Sequence, residues 1–77
     1  SIRLERGTPT EPLVGIPIRS LDIPEECLVA LIHRRGNMVV PRGSTLLEEG
    51  DQLTVIGDEQ SIRSLKAEFA INPLGNG

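Results

Sequence analysis

The chain has 77 residues, enough for one small domain, and a formal net charge of −3 with both signs of charge spread along it. This charge argues against a basic nucleic-acid-binding face, and an aromatic content of 1% argues against a platform for stacking bases. No apolar run approaches the ~18 residues of a membrane-spanning helix. Most apolar residues are Val, Ile and Leu, so the core of one chain is thin and we expect further burial against a partner chain.

The N-terminal part of the chain predicts a strand, a loop and a short helix. Residues 1–6 alternate apolar and polar side chains, which is the period of a half-buried strand. Two prolines in residues 7–12 predict a connecting loop. Pro17 suits the first position of a helix, and the spacing in residues 16–22 predicts a helix of one or two turns.

Residues 27–32 form a continuous apolar run, Cys-Leu-Val-Ala-Leu-Ile. The length of the run and its Val and Ile content favour a central strand that is buried on both faces. A helix is the competing interpretation, since Leu and Ala are good helix formers. The following turn favours the strand, because a Gly36-Asn37 pair between this run and the apolar residues 38–40 is typical of a hairpin.

The C-terminal part predicts two more extended segments and a helix. Residues 45–47 are a brief strand or an extended piece, residues 48–51 are a turn, and residues 52–56 are a strand. Asp58 is a good N-cap, because its carboxylate can accept the free N–H groups of the next helical turn. The helix is expected over residues 59–69. Its apolar stripe consists of Ile62, Leu65 and Phe69.

Together these elements predict an α+β domain. Its mainly antiparallel sheet has four or five strands in a meander, with a short N-terminal helix and a C-terminal helix packed on one face. Gly50 is expected to adopt a positive φ angle in its turn. The same backbone requirement is expected of Gly36, Gly43 and Gly57.

Four segments, in this order, resemble the TrkA-C domain, also called RCK-C. This domain is the C-terminal regulatory domain found behind nucleotide-binding domains in bacterial potassium-transport systems. The segments are residues 13–24 (LVGIPIRSLDIP), 29–34 (VALIHR), 39–45 (VVPRGST) and 49–57 (EGDQLTVIG). The resemblance covers residues 13–69 and predicts one TrkA-C-like regulatory domain over residues 1–77.

The resemblance implies a homodimer with a regulatory role in a cation transporter or channel, and potassium is the expected ion. It implies a cytoplasmic domain, fused to or associated with a larger membrane transporter at its cytosolic face, without membrane insertion of its own. Some family members bind the second messenger cyclic di-AMP at the dimer interface, whereas others have no known ligand. A cyclic dinucleotide sensor and a purely structural assembly module therefore both stay open. No cofactor is expected beyond such a ligand.

In the ligand-binding members, the ligand lies near the strand–turn–strand that corresponds to residues 32–41. The resemblance implies that Arg34 or Arg35 faces a phosphate and that Asn37 contacts a base. The apolar wall of this site would consist of Ile32, Val39 and Pro41. The alternative interpretation is a solvated hairpin tip that binds nothing.

The other polar residues predict no chemistry. His33 and Cys27 are the only histidine and cysteine, too few for a structural zinc site in one chain, and a lone cysteine fits a reducing compartment. Glu48, Glu49 and Asp51 offer oxygens to calcium, but their spacing is not that of a calcium hand, so a solvated acidic turn is favoured. The serines lack a His–acid partnership, and we expect no enzyme.

Overall fold

The computed structural model describes residues 1–69. Its sheet consists of β1 (Ile2–Arg3), β2 (Leu28–Arg34), β3 (Asn37–Val39) and β4 (Gln52–Ile56), followed by one α-helix, α1 (Glu59–Glu68). The strand order is β1-β4-β2-β3, and every neighbouring pair is antiparallel. The predicted α+β class, the β4 strand and the C-terminal helix are confirmed. Within these residues, the helix is too short and too polar to cross a membrane.

The strands do not form the predicted meander, because β4 pairs with β2 instead of β3. Twelve residues, 40–51, connect β3 to β4, more than the two to five that close a hairpin. Part of this connection pairs with the N-terminal part of the chain. Leu46 and Pro17 form an isolated antiparallel bridge, and the N–H of Gly15 donates to the carbonyl of Leu47 at 2.7 Å. The optional fifth strand is therefore an extended piece outside the sheet.

The predicted N-terminal helix is reduced to a single 3₁₀ turn, Ile18–Ser20. Pro17 is not its first helical residue, because its backbone is extended (φ −76°, ψ 154°) and it forms the bridge to Leu46. Pairing with residues 43–47 holds this segment extended and leaves room for only one turn. A second 3₁₀ turn, Glu11–Leu13, lies at the end of the predicted loop.

One face of the sheet, called the inner face here, carries the core. Helix α1 begins after Asp58, whose Oδ1 accepts a hydrogen bond from the N–H of Ser61 at 3.0 Å, as an N-cap does. Of the predicted stripe, Leu65 is fully buried, while Ile62 and Phe69 are half-buried. The buried apolar cluster consists of Ile2, Leu4, Val29, Ile32, Leu47, Leu53 and Leu65.

Strand β2 is not buried on both faces, so this prediction is wrong for the single chain. Leu28 is 53% exposed, and Ala30 is exposed as well. The register with β4 shifts between Val29 and Leu31, which makes Ala30 the extra residue of a β-bulge. The bulge changes which side chains face inward, so buried positions recur at Val29 and Ile32, three residues apart.

Two of the four glycine predictions are confirmed. Gly36 and Gly50 have φ angles of 78° and 89°, whereas Gly43 and Gly57 do not have positive φ. Gly57 is required for a different reason. A Cβ at this position would lie 2.7 Å from the Sγ of Cys27, so the two chain segments approach too closely for any side chain.

Candidate functional site

The β2–β3 hairpin brings the predicted ligand-binding residues together. Its two central turn residues are Arg35 and Gly36, with φ angles of 50° and 78°, the signs that a type I′ turn needs. The hairpin is thus confirmed, but its turn is Arg35-Gly36 instead of the Gly-Asn pair. Asn37 is already a strand residue and pairs with Arg34.

Arg34 is held by a buried carboxylate. Its Nε donates to Asp51 Oδ1 at 2.8 Å, and its Nη2 donates to Asp51 Oδ2 at 2.8 Å and to the carbonyl of Leu46 at 2.9 Å. Asp51 is 0% exposed, and its Oδ2 also accepts the N–H of Glu48 at 2.9 Å. Such a bidentate pair fixes the orientation of the Arg34 guanidinium group relative to the carboxylate. It connects the hairpin to the turn before β4.

The pKa values of the pair follow from these contacts. Burial acts to raise the pKa of Asp51, but the hydrogen bonds from Arg34 and from the N–H of Glu48 outweigh it and lower the pKa. The hydrogen bond to Asp51 raises the pKa of Arg34. Both groups therefore stay charged at neutral pH.

Glu48 bridges the two adjacent arginines. Its Oε1 lies 2.6 Å from Nη2 of Arg35, and its Oε2 lies 3.3 Å from Nη1 of Arg34. The prediction of a solvated acidic turn is wrong for Asp51, which is buried, while Glu49 is exposed. Within residues 1–69, no group of three His, Cys, Asp or Glu side chains is placed to hold a metal ion.

Two residues of the predicted apolar wall, Ile32 and Val39, lie on the side of the hairpin that faces the core. Ile32 is 0% exposed and pairs with Val39, and both face inward. Pro41 is half-buried. Among the predicted site residues, Arg35 and Asn37 have exposed side chains, that of Arg35 to 76%. Their role in ligand binding stays a prediction.

The opposite face of the sheet is apolar and exposed. Its side chains form cross-strand pairs between Leu28 and Ile56 and between Leu31 and Thr54, and Val40 follows Met38 by two residues on the same side. Leu28, Met38, Val40 and Ile56 are 53%, 64%, 69% and 52% exposed, and Leu31 is half-buried. We call this surface the outer apolar face. It consists of Leu28, Leu31, Met38, Val40 and Ile56.

The apolar run at residues 27–32 is the sequence feature that indicates the outer apolar face. Because the run is unbroken, it predicts that both faces of the strand are shielded from water. It does not indicate whether the same chain or a partner chain covers each face. The bulge at Ala30, which decides the direction of each side chain, has no recognisable pattern in a run without polar residues.

Comparison with known proteins gives the family. The TrkA-C domain family matches residues 5–70. The chain is 37% identical over 60 residues to the K(+)/H(+) antiporter NhaP2 of Shewanella sp. (strain ANA-3), covering 78% of this chain and 10% of the antiporter. It is 33% identical over 55 residues to the Trk system potassium uptake protein TrkA homolog of Archaeoglobus fulgidus, covering 71% and 13%. The chain therefore spans about a tenth of the length of these relatives.

Solved structures show the same fold. An RCK domain solved with cda superposes with a TM-score of 0.72 at 26% identity, over 88% of this chain and 91% of that chain. The RCK_C domain dimer of S. agalactiae BusR in complex with c-di-AMP gives a TM-score of 0.69 at 22% identity, over 92% and 93%. At that identity, the likeness to BusR shows the fold alone.

The family match and the relatives identify the class: the chain belongs to the TrkA-C domain family. This confirms the resemblance and extends it on the N-terminal side from residue 13 to residue 5. A BusR chain was also solved in complex with its busA-promotor DNA, and the similarity covers 36% of that chain. The expected absence of a nucleic-acid partner for the present chain stays a prediction.

Proposed function

We propose that this chain is a regulatory and dimerisation domain of a potassium transport or channel system. Support comes from the family and from two relatives whose names describe K(+)/H(+) antiport and potassium uptake. Because the chain matches about a tenth of each relative, the domain would be fused to or associated with a larger membrane protein, on its cytosolic side. It would act by binding and by changing subunit contacts, without catalysis.

The outer apolar face is the observation that carries this proposal. Four of its large apolar side chains are each more than half exposed in the single chain. Monomeric proteins rarely expose large contiguous apolar patches, and such patches often mark interaction sites. A two-fold symmetric pair that packs this face against itself buries the same residues in both copies. It also supplies the burial that a thin aliphatic core lacks.

Sedimentation velocity over a range of concentrations tests the dimer. We expect a dimer for the wild type and a monomer for Ile56→Asp, which places a charge in the interface. Leu46→Asp is the matched control, because Leu46 is 56% exposed, much like Ile56, but lies outside the sheet and bridges to Pro17. This control should stay dimeric. A wild type that is monomeric at high micromolar concentration would overturn the proposal, and a dimeric Ile56→Asp would move the interface elsewhere.

We further propose that the dimer senses cyclic di-AMP through the hairpin of residues 32–41. The support is the similar RCK domain that was solved with cda. The chain has a net charge of −3, so a ligand with two phosphates needs a local cationic group. Arg35 meets this need, because its side chain is 76% exposed and lies beside the exposed Asn37. Arg34 would mainly position the hairpin, since Asp51 holds its guanidinium.

Calorimetric titration of cyclic di-AMP into wild type and Arg35→Ala tests the ligand and its site. Loss of one charged hydrogen bond, worth about 1.5–3 kcal/mol, should weaken binding roughly ten- to a hundredfold. Arg63→Ala is the matched control, because Arg63 is 72% exposed and also pairs with a glutamate, Glu59, but lies on α1. We expect unchanged binding in this control. Equal binding by Arg35→Ala would place the ligand elsewhere.

The second candidate is a structural assembly module without a small ligand. The observation in its favour is that Glu48 contacts both arginines, so carboxylates already neutralise the basic pair. A thermal-shift screen with cyclic dinucleotides, other nucleotides and divalent ions separates the candidates. A ligand that binds only the folded state must raise the melting temperature when its concentration is well above its Kd. No shift with any compound, in a protein that is dimeric, would favour the assembly module.

A further inference from the structure

We propose that the carboxylate of Glu48 is an internal competitor for the anion-binding position between Arg34 and Arg35, so that a ligand phosphate binds by displacing it. This inference rests on the proposed ligand site in the hairpin of residues 32–41 and deepens it, because it states how that site is regulated. The ligand class is a phosphate ester, and the displaced group belongs to the same chain. Glu48 thereby raises the ligand concentration at which the site fills.

The carboxylate of Glu48 marks the position where the two arginines hold an anion. Within the fold, Nε and Nη2 of Arg34 donate to Asp51 and to the carbonyl of Leu46. A guanidinium group has five N–H donors, so the two on Nη1 stay available to a group outside the core. Oε2 of Glu48 lies 3.3 Å from this Nη1, and Oε1 lies 2.6 Å from Nη2 of Arg35. The same nitrogens fit the oxygens of a phosphate group.

Only the side chain of Glu48 has to move when it is displaced. Its N–H donates to Asp51 Oδ2 at 2.9 Å, and its carbonyl accepts the N–H of Asp51 at 3.1 Å, so its backbone is held independently of the carboxylate. The side chain is 40% exposed. Within residues 1–69, its carboxylate forms ion pairs with the two arginines alone. Rotation of this side chain therefore frees both arginines and leaves the turn of residues 48–51 in place.

The two carboxylates around Arg34 differ in how easily they exchange. Asp51 is 0% exposed and bound through two hydrogen bonds, so its pair with Arg34 stays intact. The contacts of Glu48 are open to water, and exposed ion pairs contribute little because both partners are well solvated and screened by salt. A phosphate ester that also contacts Asn37 can replace Glu48. A simple inorganic anion, which lacks further contacts, competes poorly with a carboxylate that is already attached.

The backbone of Arg35 gives independent support for a role of its side chain. Its φ angle is 50°, in the left-handed region that glycine and asparagine adopt more readily than arginine. Arginine is therefore not the residue that the turn itself favours, and a backbone outlier of this kind points to a function for the side chain. At this position the guanidinium group is 76% exposed and lies within reach of both Glu48 and a ligand.

Calorimetric titration of cyclic di-AMP into wild type, Glu48→Gln and Glu48→Asp tests the competition. Glu48→Gln removes the charge but keeps the backbone hydrogen bonds of the turn. We expect about fivefold tighter binding, the factor that corresponds to the loss of one exposed ion pair. Glu48→Asp keeps the charge, but its side chain is one methylene shorter and does not span both arginines. It should bind about two- to threefold tighter than wild type.

Glu49→Gln is the matched control. Glu49 lies in the same turn and its substitution changes the net charge equally, but its carboxylate pairs with Arg6 at 3.2 Å. This variant should bind cyclic di-AMP as the wild type does. Equal gains in Glu48→Gln and Glu49→Gln would show a general effect of charge and overturn the inference. Weaker binding by Glu48→Gln would also overturn it, because Glu48 would then orient the arginines for the ligand.

Pyrophosphate, followed by NMR shifts of the amides of Arg35, Gly36 and Asn37, separates the failure of this inference from the failure of the proposed ligand. If cyclic di-AMP binds wild type and Glu48→Gln equally, the inference is wrong and the proposed ligand stands. If cyclic di-AMP binds neither protein, the proposed ligand is wrong and pyrophosphate decides the competition. Tighter binding of pyrophosphate by Glu48→Gln than by wild type would support the inference, and equal binding or none would overturn it.

Discussion

The two faces of the sheet have similar aliphatic side chains but opposite environments. On the inner face, Ile32 and Leu53 are 0% and 1% exposed, whereas on the outer face Leu28 and Ile56 are 53% and 52% exposed. The difference lies in what covers them. Helix α1 and the N-terminal segments pack on the inner face, and no part of residues 1–69 packs on the outer one. Aliphatic composition thus measures how much surface avoids water, but not which chain covers it.

The two adjacent arginines, Arg34 and Arg35, also differ in whether their side chains are buried or exposed. Arg34 lies on the inner side of β2 and reaches the fully buried Asp51, with a side chain that is 17% exposed. Arg35 lies in the turn, and its side chain is 76% exposed. Arg34 therefore has a structural role, whereas the side chain of Arg35 is accessible to solvent.

The largest expected effect is that of Arg34→Ala. This substitution leaves the carboxylate of Asp51 buried without its partner, which costs about 3–5 kcal/mol of unfolding free energy. Arg35→Ala removes only an exposed ion pair, worth about 0–1 kcal/mol. Urea unfolding followed by circular dichroism measures both. An equal loss of unfolding free energy in the two variants would show that Arg34 contributes no more to stability than the exposed Arg35.

The next effect compares two residues of β4 that face opposite ways. Leu53→Ala should cost about 2–5 kcal/mol, because it opens a cavity in the core. Ile56→Ala should cost about 1 kcal/mol, because about half of its side chain is already in water. Both are measured by urea unfolding at the lowest practical protein concentration, where a dimer contributes least. A loss for Ile56→Ala as large as that for Leu53→Ala would show that the outer face is covered within the single chain.

Acid should weaken the inner ion pair. The pKa of Asp51 is lowered in the folded state, so its contribution to stability is complete above its unfolded pKa, about 3.9, and is lost as pH falls through the folded value. The unfolding free energy of the wild type should therefore decrease below about pH 4. Asp51→Asn should be less stable at neutral pH but should lose less on acidification.

Asp58 titrates in the same direction, because the hydrogen bonds from Ser61 lower its pKa. Asp58→Ser separates the two groups, since serine retains the helix cap without the charge. This variant should keep most of the acid sensitivity of the wild type. If Asp51→Asn is as acid-sensitive as the wild type, the buried pair is not the source.

Local patterns in the sequence predicted some elements well and relations between elements less well. The alternation of β4, the N-cap at Asp58 and the stripe of α1 are determined by residues close in sequence, and the structure has all three. The sequence pattern does not predict the pairing of β4 with β2, which arises because part of the 40–51 connection, from residue 43 on, pairs with the N-terminal segments. Such a choice depends on contacts between distant segments, which no local period reveals.

The candidate site shows the same limit. The sequence predicts the hairpin and its basic pair, but Asp51, the partner of Arg34, lies 17 residues away, and its local pattern predicts only a solvated turn. Nothing in the local sequence distinguishes Arg34 from Arg35. The strand register does so, because it sends one side chain inward and places the other in the turn.

The smallest effect tests the two faces at the edge of the sheet. In β3, Val39 faces the core and is half-buried, while Met38 faces outward and is 64% exposed. Val39→Thr keeps the shape of the side chain but turns a hydroxyl toward apolar surroundings, which should cost about 1 kcal/mol. Met38→Thr should change the unfolding free energy by no more than about 0.5 kcal/mol, because it alters an exposed position. In sedimentation the order should reverse: Met38→Thr removes apolar surface from the proposed interface and should weaken the dimer, whereas Val39→Thr should not. A Met38→Thr protein that dimerises as strongly as the wild type would show that the outer apolar face ends before β3.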